Sequence, residues 1–210
     1  ARTVSSAILP KNGFIAGQEQ GFGIFERWIL RLGYFTARRK GLAVFGDPRQ
    51  ASSRPDVVVI IYPNQQPSPQ YLEGLRQFVN EGGKVLVIDS ADNANSTANA
   101  LLEPLGIQLR DLAQPAGLLQ PDWNWPRVPV SHAREVSGGQ PFARLGGIPV
   151  GTKARHGQGE VWVVGFGNRF CDVNMGFLGD VIPDAALMQV FNLEFLLIDA
   201  IVQGKPKVLP

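Results

Sequence analysis

The stretch Asp56-Val57-Val58-Val59-Ile60-Ile61-Tyr62 decides the fold, because β-branched residues follow one another in it without the alternation of a half-exposed strand. A continuous apolar run of this kind is typical of a central parallel strand that is covered on both faces. Ser68 and Pro69 follow shortly after. Serine can cap a helix, and proline at the first helical position loses no hydrogen bond. The sequence therefore predicts a buried strand followed by a helix.

The same pattern then repeats along the chain. The first helix ends at Gly82-Gly83, a common device for a left-handed turn, and Lys84 to Asp89 is a second buried strand. After a polar loop, Ala98 to Leu105 has helical spacing and stops at Gly106. Alternating strands and helices with short connections indicate a parallel sheet. We expect an α/β fold, a three-layer doubly wound and mostly parallel sheet with helices on both faces.

Further elements are predicted towards the two ends of the chain. Phe22 to Leu32 has helical spacing and stops at Gly33, and Glu160 to Phe166 is strongly apolar and belongs in the main sheet. Weaker strands are predicted at Ser5 to Leu9 and Leu42 to Phe45, a long glycine-rich loop at 167–183, and a last helix from about Asp184 to Gly204.

The middle of the chain has a different character. Residues 111–130 hold four prolines and two tryptophans without a clean period. Short strands are predicted near 128–131, 142–145 and 148–154, with a hairpin turn at 154–160. We therefore expect a β-hairpin and irregular excursion around 111–158. Trp123 and Trp125 in it could stack on sugar rings or bases, but we favour a role in fastening the excursion to its own domain.

The domain organisation follows from these elements. We expect one domain over residues 1–204, with the excursion inside it and a linker stub at 205–210. The first residue is Ala1, and we interpret the chain as a domain excised from a larger protein.

Composition excludes several classes of protein. The chain has 210 residues, 44% of them hydrophobic, which excludes an intrinsically disordered protein. The net charge is +2 and the basic residues are scattered, so we expect no nucleic-acid partner. No uninterrupted apolar run approaches the roughly 20 residues that span a bilayer, so we expect no membrane insertion by this segment. Cys171 is the one cysteine, which excludes an intrachain disulfide.

A binding site is expected where the parallel strands end, because ligands of open α/β sheets lie at the carboxyl edge. Loops 10–20, 63–67, 89–96 and 167–183 leave that edge, and amides and carboxylates dominate them. Such groups suit a neutral polar ligand, such as a sugar or a peptide backbone, or a hard cation such as calcium. The predicted ligand-binding residues are Gln18, Glu19, Asn64, Asp89, Ser90, Asp92, Asn93, Asn168, Arg169, Asp172 and Asn174.

A structural alternative applies to the same residues. Asn, Asp and Ser are common in such loops because they cap helices and form local turns. Local capping is the favoured interpretation for loop 89–96, whereas loop 167–183 suits capping and binding equally well.

Catalytic signatures are weak throughout. Ser90 follows a strand, but its context Ile88-Asp89-Ser90-Ala91-Asp92 lacks the small residues of a nucleophile elbow. Cys171 has neither histidine nearby in sequence, and His132 and His156 do not form a zinc-binding pattern. No phosphate-binding loop is present. We expect no catalytic residue, no metal and no cofactor.

Several segments resemble a known family. They are Arg31-Leu32-Gly33-Tyr34, Asp56 to Pro63, Gln77 to Gly83 running into Val85 to Asp89, Asn95-Ser96, Leu101-Leu102, Leu105 to Ile107, Gly157 to Gly165, and the helix around Asn192. Together they resemble the class I glutamine-amidotransferase-like (flavodoxin-like) fold. The likeness is to its non-catalytic branch, found in the N-terminal domain of intraflagellar transport proteins, in gliding-motility proteins and in uncharacterised bacterial membrane-anchored proteins.

The resemblance implies a fold without its catalytic triad. A working amidotransferase would carry a cysteine after the 84–89 strand, where Ser90-Ala91 stands here, and a downstream histidine with a glutamate two residues on. The implied function is binding or assembly, with a small polar ligand or a protein partner. The resemblance also implies an extracytoplasmic or membrane-tethered location for the parent protein.

Three alternatives remain open at this point. One is a carbohydrate-active or metal-assisted hydrolase using Asp89, Asp92 and Asp172, since paired carboxylates perform acid–base chemistry. Another is a degenerate amidotransferase with residual activity. The third is a scaffold that makes its contacts through the 111–130 excursion.

Overall fold

The computed structural model of the chain describes residues 21–46, 54–176 and 182–206. Four α-helices lie in these ranges: α1 (Gly23–Arg31), α2 (Pro69–Asn80), α3 (Ala98–Leu102) and α4 (Ala185–Gln203). The strands in the same ranges are β1 (Val57–Ile61), β2 (Lys84–Ile88), β3 (Gln108–Asp111), β4 (Gly117–Leu118), β5 (Gln120–Pro121), β6 (Pro129–Val130), β7 (Arg134–Ser137), β8 (Gln140–Leu145), β9 (Ile148–His156) and β10 (Gly159–Val164).

The main sheet has six strands in the order β1-β2-β10-β9-β8-β5. β1, β2 and β10 are parallel, whereas β9, β8 and β5 continue the sheet with antiparallel pairings. The sheet is therefore mixed, and the prediction of a mostly parallel sheet was wrong. Tight turns join β8 to β9 and β9 to β10, and a tight turn can connect only antiparallel neighbours. The predicted excursion thus contributes three strands to the main sheet.

The two faces of the parallel strands contact different helices. Alternate side chains of a strand point to opposite faces. Val85 and Val87 of β2 belong to a buried cluster with residues of α2 and α3. Leu86 and Ile88 belong to a second cluster with residues of α1 and α4. Both faces of these strands are therefore covered, which explains why β1 and β2 show no polar alternation.

The predicted helix starts are confirmed. The Ser68 hydroxyl accepts a hydrogen bond from the backbone N–H of Tyr71 at 3.1 Å, with Pro69 in the first turn of α2. The Asp184 carboxylate accepts one from the backbone N–H of Leu187 at 2.8 Å and so caps α4. Both caps satisfy N–H groups that have no partner within their own helix.

Two predicted segments differ in the structure. Leu42 to Phe45 lies in a 3₁₀ helix, Gly41–Phe45, and not in a strand. The bounding glycines have positive φ values, 54° at Gly41 and 81° at Gly46, and Phe45 packs against rings of α2. Loop 167–183 is partly helical, with 3₁₀ turns at Gly167–Phe170 and Asp172–Met175. The predicted strand Ser5 to Leu9 and loop 10–20 lie outside the described residues.

The tryptophans of the middle region pack against the domain itself. The Trp123 ring stacks on Phe142, with centroids 6.0 Å apart and planes 2° apart, and Trp125 is buried. Lys153 Nζ lies 5.3 Å from the Trp123 ring centroid. This packing supports the interpretation that Trp123 and Trp125 fasten the segment to the core.

Helix α4 is long and apolar enough to span a membrane. This property was not expected from the sequence. Half of its residues are buried inside the protein. Val190, Phe191 and Leu197 are among its core residues, and Trp28 of α1 packs on Phe191 at 4.3 Å. The core helix of a soluble protein has the same length and composition, so this likeness is weak evidence for a membrane span.

Candidate functional site

The candidate site lies at the edge where β1, β2 and β10 end. Backbone hydrogen bonds continue past the strands: Tyr62 N–H donates to Ile88, Asp89 N–H to Val164, and Gly167 N–H to Asp89, each at 2.9 Å. These bonds place the residues that follow the three strands side by side. Tyr62, Ser90 and Asn168 consequently meet at one point of the edge.

The Ser90 hydroxyl is the centre of this meeting point. It hydrogen-bonds the Tyr62 hydroxyl and the Asp92 carboxylate, and it accepts the backbone N–H of Asn168 at 3.1 Å. Tyr62 and Ser90 bring two hydroxyl protons to the three contacts among Tyr62, Ser90 and Asp92, so the protons are shared among these contacts, and the Ser90 oxygen has three polar neighbours. Ser90 is also fully buried, with 0% of its surface exposed. Its oxygen is therefore both occupied and inaccessible to a substrate.

Asp92 is the surface-exposed carboxylate of the network. It accepts from the Tyr62 hydroxyl and from Asn168 Nδ2, each at 2.6 Å. Partial burial acts to raise the pKa of Asp92, but the hydrogen bonds from Ser90, Tyr62 and Asn168, together with the nearby His132, hold it below its usual range. A carboxylate held in its charged form accepts hydrogen bonds well and is a weak base.

The network continues through side-chain amides. Asn174 Nδ2 donates to the backbone oxygen and to Oδ1 of Asn168, both at 2.8 Å. The Ser131 hydroxyl donates to Asn168 Oδ1 at 3.1 Å, and it also meets His132 Nδ1 at 3.2 Å. Four predicted residues, Ser90, Asp92, Asn168 and Asn174, are thus brought together.

Sequence reasoning missed Tyr62, Ser131 and His132 as members of the site. Tyr62 and His132 have positive φ values, 45° and 54°, and among the described non-glycine residues they alone do. Such a backbone costs on the order of 1 kcal/mol and is common at functional sites. Burial, with the Asp92 carboxylate beside the hydroxyl, raises the pKa of Tyr62 above its ordinary value, so the phenol stays a donor. The sequence feature that could have identified Tyr62 as part of the site is its position at the end of the first buried strand.

Asp89 belongs to a structural network beneath the edge. It is fully buried, and its Oδ1 accepts from Asn93 Nδ2 at 2.8 Å while its Oδ2 accepts from the Ser96 hydroxyl. Arg134 Nη1 lies 3.5 Å from Oδ2. Burial raises the pKa of Asp89 despite these partners. The carboxylate and the buried Asn93 hold loop 89–96 through contacts within the domain.

Asp172 caps helix α1 and does not reach the surface. It is fully buried, its Oδ1 accepts the backbone N–H of Ile24 at 2.7 Å, and its own N–H donates to Gly21 at 2.7 Å. A carboxylate at a helix N-terminus satisfies a free N–H and favours the helix dipole. The loop turns the Asp172 side chain inward, away from the exposed groups of the edge where ligand binding was predicted.

Removing this cap is expected to destabilise the fold. Asp172→Ala leaves the Ile24 N–H buried without its acceptor, so the free energy of unfolding should fall by about 1–2 kcal/mol. Urea denaturation measures the change, and Asp56→Ala, at an exposed aspartate, is the control. Equal losses in the two variants would contradict the capping role.

The other predicted residues divide into three groups. Asn64 is exposed, and its side chain joins no hydrogen bond of the network within the described ranges. Arg169 follows Asn168 in the 3₁₀ turn, and its Nε is buried. Gln18 and Glu19 lie outside the described residues.

Cys171 lies beneath the amide network. It is buried, and Asn174 Nδ2 contacts its Sγ at 3.3 Å. Burial raises the pKa of the Cys171 thiol, and the carboxylates of Asp92 and Asp172 raise it further, against the opposing hydrogen bonds from Asn174. Since the thiolate is the reactive form, this environment disfavours nucleophilic chemistry.

No three His, Cys, Asp or Glu side chains among residues 21–46, 54–176 and 182–206 come together as ligands for a metal ion. Two cavities, of about 770 and 440 Å³, lie away from the edge, one beside α2 and one beside β9. The carboxyl edge presents polar groups whose positions are fixed by hydrogen bonds to one another.

Comparison with solved structures identifies relatives in fold. The chain matches the mmIFT52 N-terminal domain at a TM-score of 0.65 and 13% identity, over 98% of this chain and 97% of that one. It matches the cytoplasmic protein STM1381 from Salmonella typhimurium LT2 at a TM-score of 0.60 and 13% identity, over 89% and 88%. At these identities the likeness shows a shared fold and nothing about activity.

A third match is to the β-galactosidase from Bacillus circulans sp. alkalophilus, at a TM-score of 0.49 and 18% identity. It covers 74% of this chain but 24% of that one, so the chain spans about a quarter of the enzyme's length, and a likeness this low has no bearing on function. No protein-family model and no curated protein matches the chain. By its structure, the chain shares a mixed α/β fold with the mmIFT52 N-terminal domain over nearly the whole of both chains.

Proposed function

We propose that this chain is a non-catalytic domain that recognises a protein partner or a small polar ligand through the carboxyl edge of its sheet. We assign it to the class I glutamine-amidotransferase-like, flavodoxin-like fold, with a three-layer doubly wound core. The helices on both faces of β1, β2 and β10 support this assignment, as does the fold shared with the mmIFT52 N-terminal domain.

One observation carries the non-catalytic part of the proposal. Ser90 follows β2, where the resemblance would place a nucleophile, yet its hydroxyl is buried and has three hydrogen-bond partners. A nucleophile must reach its substrate and must lose its proton to a neighbouring base. The neighbour that accepts here is Asp92, whose depressed pKa disfavours taking the proton.

The recognition part of the proposal rests on the exposed groups of the edge. Asp92 and His132 are exposed, and each is held by the network. Polar groups that are already fixed lose little conformational entropy on binding. A surface of this kind suits a ligand that donates hydrogen bonds to Asp92, such as a peptide amide or a sugar hydroxyl.

The hydrolase alternative has little support from the three carboxylates. Asp172 caps α1, Asp89 is held by Asn93, Ser96 and Arg134, and Asp92 is held by Tyr62, Ser90 and Asn168. Acid–base hydrolysis needs two carboxyl groups that face a common substrate. Two of these carboxyl groups are fully buried and engaged elsewhere.

Enzyme assays test the proposal and the residual-amidotransferase alternative together. The purified protein should show no glutaminase or esterase turnover above that of buffer, and Ser90→Ala and Cys171→Ala should show the same, because neither group can act as a nucleophile. Circular dichroism confirms that both variants are folded. Turnover that either substitution abolishes would overturn the proposal.

A further inference from the structure

The cavity of about 440 Å³ beside β9 is lined by charged and amide side chains. Its volume is typical of small-molecule sites, which occupy roughly 300–1,000 Å³. The lining residues are Gly139, Gln140, Lys153, Ala154, Arg155 and Glu160. They come from β8, β9, β10 and the turn before β8, at the end of β10 opposite to the carboxyl edge. The cavity is therefore separate from the candidate site described above.

The strand register places the polar side chains of this cavity on one face of the sheet. Arg155 of β9 lies directly opposite Glu160 of β10, and Lys153 of β9 lies opposite Gln140 of β8. Residues that face each other across two strands share a face, and so do residues two apart along a strand. Two cations, one carboxylate and one amide are therefore neighbours on this face.

Two tryptophans hold the charged groups in place. The Trp162 indole N–H donates to Glu160 Oε2 at 3.1 Å. Lys153 Nζ lies 5.3 Å from the ring centroid of Trp123 and 5.1 Å from that of Trp162, within the range of cation–π attraction. Both rings pack in the hydrophobic core, so they are fixed themselves. Groups that are already positioned lose little conformational entropy when a ligand binds.

The charges of the cavity do not neutralise one another. Opposite charges on neighbouring strands attract, yet among the described residues that line this cavity no carboxylate forms an ion pair with a cation. The cavity therefore offers charges of both signs to a ligand. Gly139 leaves one side of it without a side chain, because its φ is +77° and a Cβ there would meet the Lys153 backbone oxygen at 2.6 Å.

We propose that this cavity binds a free acidic α-amino acid. The two carboxylates of such a ligand match Lys153 and Arg155, and its single ammonium group matches Glu160. Arg155 can hold a carboxylate in two parallel hydrogen bonds, while Lys153 provides a point charge. Gln140 adds a neutral donor and acceptor.

The spacing of the two cations favours two separate anionic groups over one phosphate. Residues two apart along a strand are about 7 Å apart, so two carboxylates joined by a short chain reach Lys153 and Arg155 together more readily than a single phosphate does. A dicarboxylate without an ammonium group would place only like charge against Glu160. A neutral amino acid would leave one cation without a partner from the ligand.

NMR of the tryptophan indole signals tests the site on the whole chain. The probe is L-aspartate, and succinate, L-asparagine and inorganic phosphate are the comparisons. Because Trp162 bonds Glu160, its indole N–H signal should shift saturably with L-aspartate. The indole signal of Trp28, which packs on Phe191 of α4, should stay unchanged. Succinate and L-asparagine should each bind about tenfold more weakly, since each lacks one of the three charges.

Two variants separate the contributions of the charges. Arg155→Gln removes the partner of one carboxylate and should weaken L-aspartate binding about tenfold. Glu160→Gln keeps an acceptor for Trp162 but loses the charge, so L-aspartate and succinate should bind it equally. Arg110→Gln, at an exposed arginine of β3, is the control and should leave binding unchanged. Circular dichroism confirms that the variants are folded.

Several results would overturn the inference: no saturable shift at Trp162, equal affinities of L-aspartate and succinate for the unaltered protein, or phosphate binding as tight as that of L-aspartate. Unchanged binding in Arg155→Gln, or a Glu160→Gln variant that still prefers L-aspartate, would do the same. The carboxyl edge takes no part in this cavity, so each of these results would leave the proposed function intact.

Discussion

Replacing Asp89 by alanine is expected to lower the free energy of unfolding by about 2–4 kcal/mol. The carboxylate is fully buried and binds Asn93, Ser96 and Arg134. Its loss takes one acceptor from the buried Asn93 amide and the acceptor of the half-buried Ser96 hydroxyl, and it removes one partner from an arginine that is only 14% exposed. The loss should appear as a lower urea midpoint with an unchanged slope.

Asp111 provides a matched control, because its carboxylate lies 3.2 Å from the same Arg134 but is 80% exposed. Asp111→Ala should change stability by less than about 1 kcal/mol, since solvent screens an exposed ion pair. Asp89→Asn should fall between the two, because an amide can still accept from Asn93 but places a donor towards Arg134. If Asp89→Ala left stability intact and removed ligand binding, the structural assignment of Asp89 would fail.

The contrast between Asp89 and Asp92 shows what the sequence could predict about the site. Both residues follow β2, and both were expected to bind a ligand. The position of loop 89–96 at the carboxyl edge could be predicted, because parallel strands end together. Which carboxylate turns inward could not, because it depends on Arg134 and Pro63, residues far away along the chain.

The sheet shows a similar division. The strands β1 and β2 and the helix between them were confirmed, since their signals are local: a β-branched run, a serine cap and a glycine stop. The hairpin turn at 154–160 between β9 and β10 was also predicted, whereas the pairing of β8 and β5 was not, because it joins segments about 20 residues apart that carry no periodic pattern. Tyr62 and His132 were missed for the same reason, since the hydrogen bond from Tyr62 to Asp92 and the electrostatic effect of His132 on that carboxylate arise only after the strands pair.

Replacing Glu194 by leucine is expected to stabilise the protein by about 1–3 kcal/mol at neutral pH. Glu194 lies in the middle of α4 and is fully buried, and neither carboxyl oxygen has a hydrogen-bond partner in the part of the chain that the structure describes. Burial raises the pKa of this carboxyl well above its ordinary value. A leucine of similar size removes the cost of burying the polar group and keeps the packing with its neighbours.

The pH dependence of stability tests whether the folded protein holds the Glu194 proton to a higher pH than the unfolded chain does. The unfolded chain loses the Glu194 proton near a pH of about 4.3, whereas the folded chain holds it to a higher pH. Unfolding therefore releases a proton in this window, and the stability of the unaltered protein falls as the pH rises through it.

Glu194→Gln and Glu194→Leu should both lose that decline, and only leucine should also gain stability at low pH. Urea denaturation at several pH values measures both effects, with Glu103→Gln as the exposed control. If the difference between Glu194→Gln and the unaltered protein did not grow with pH, the carboxyl would be as well solvated in the folded chain as in the unfolded one.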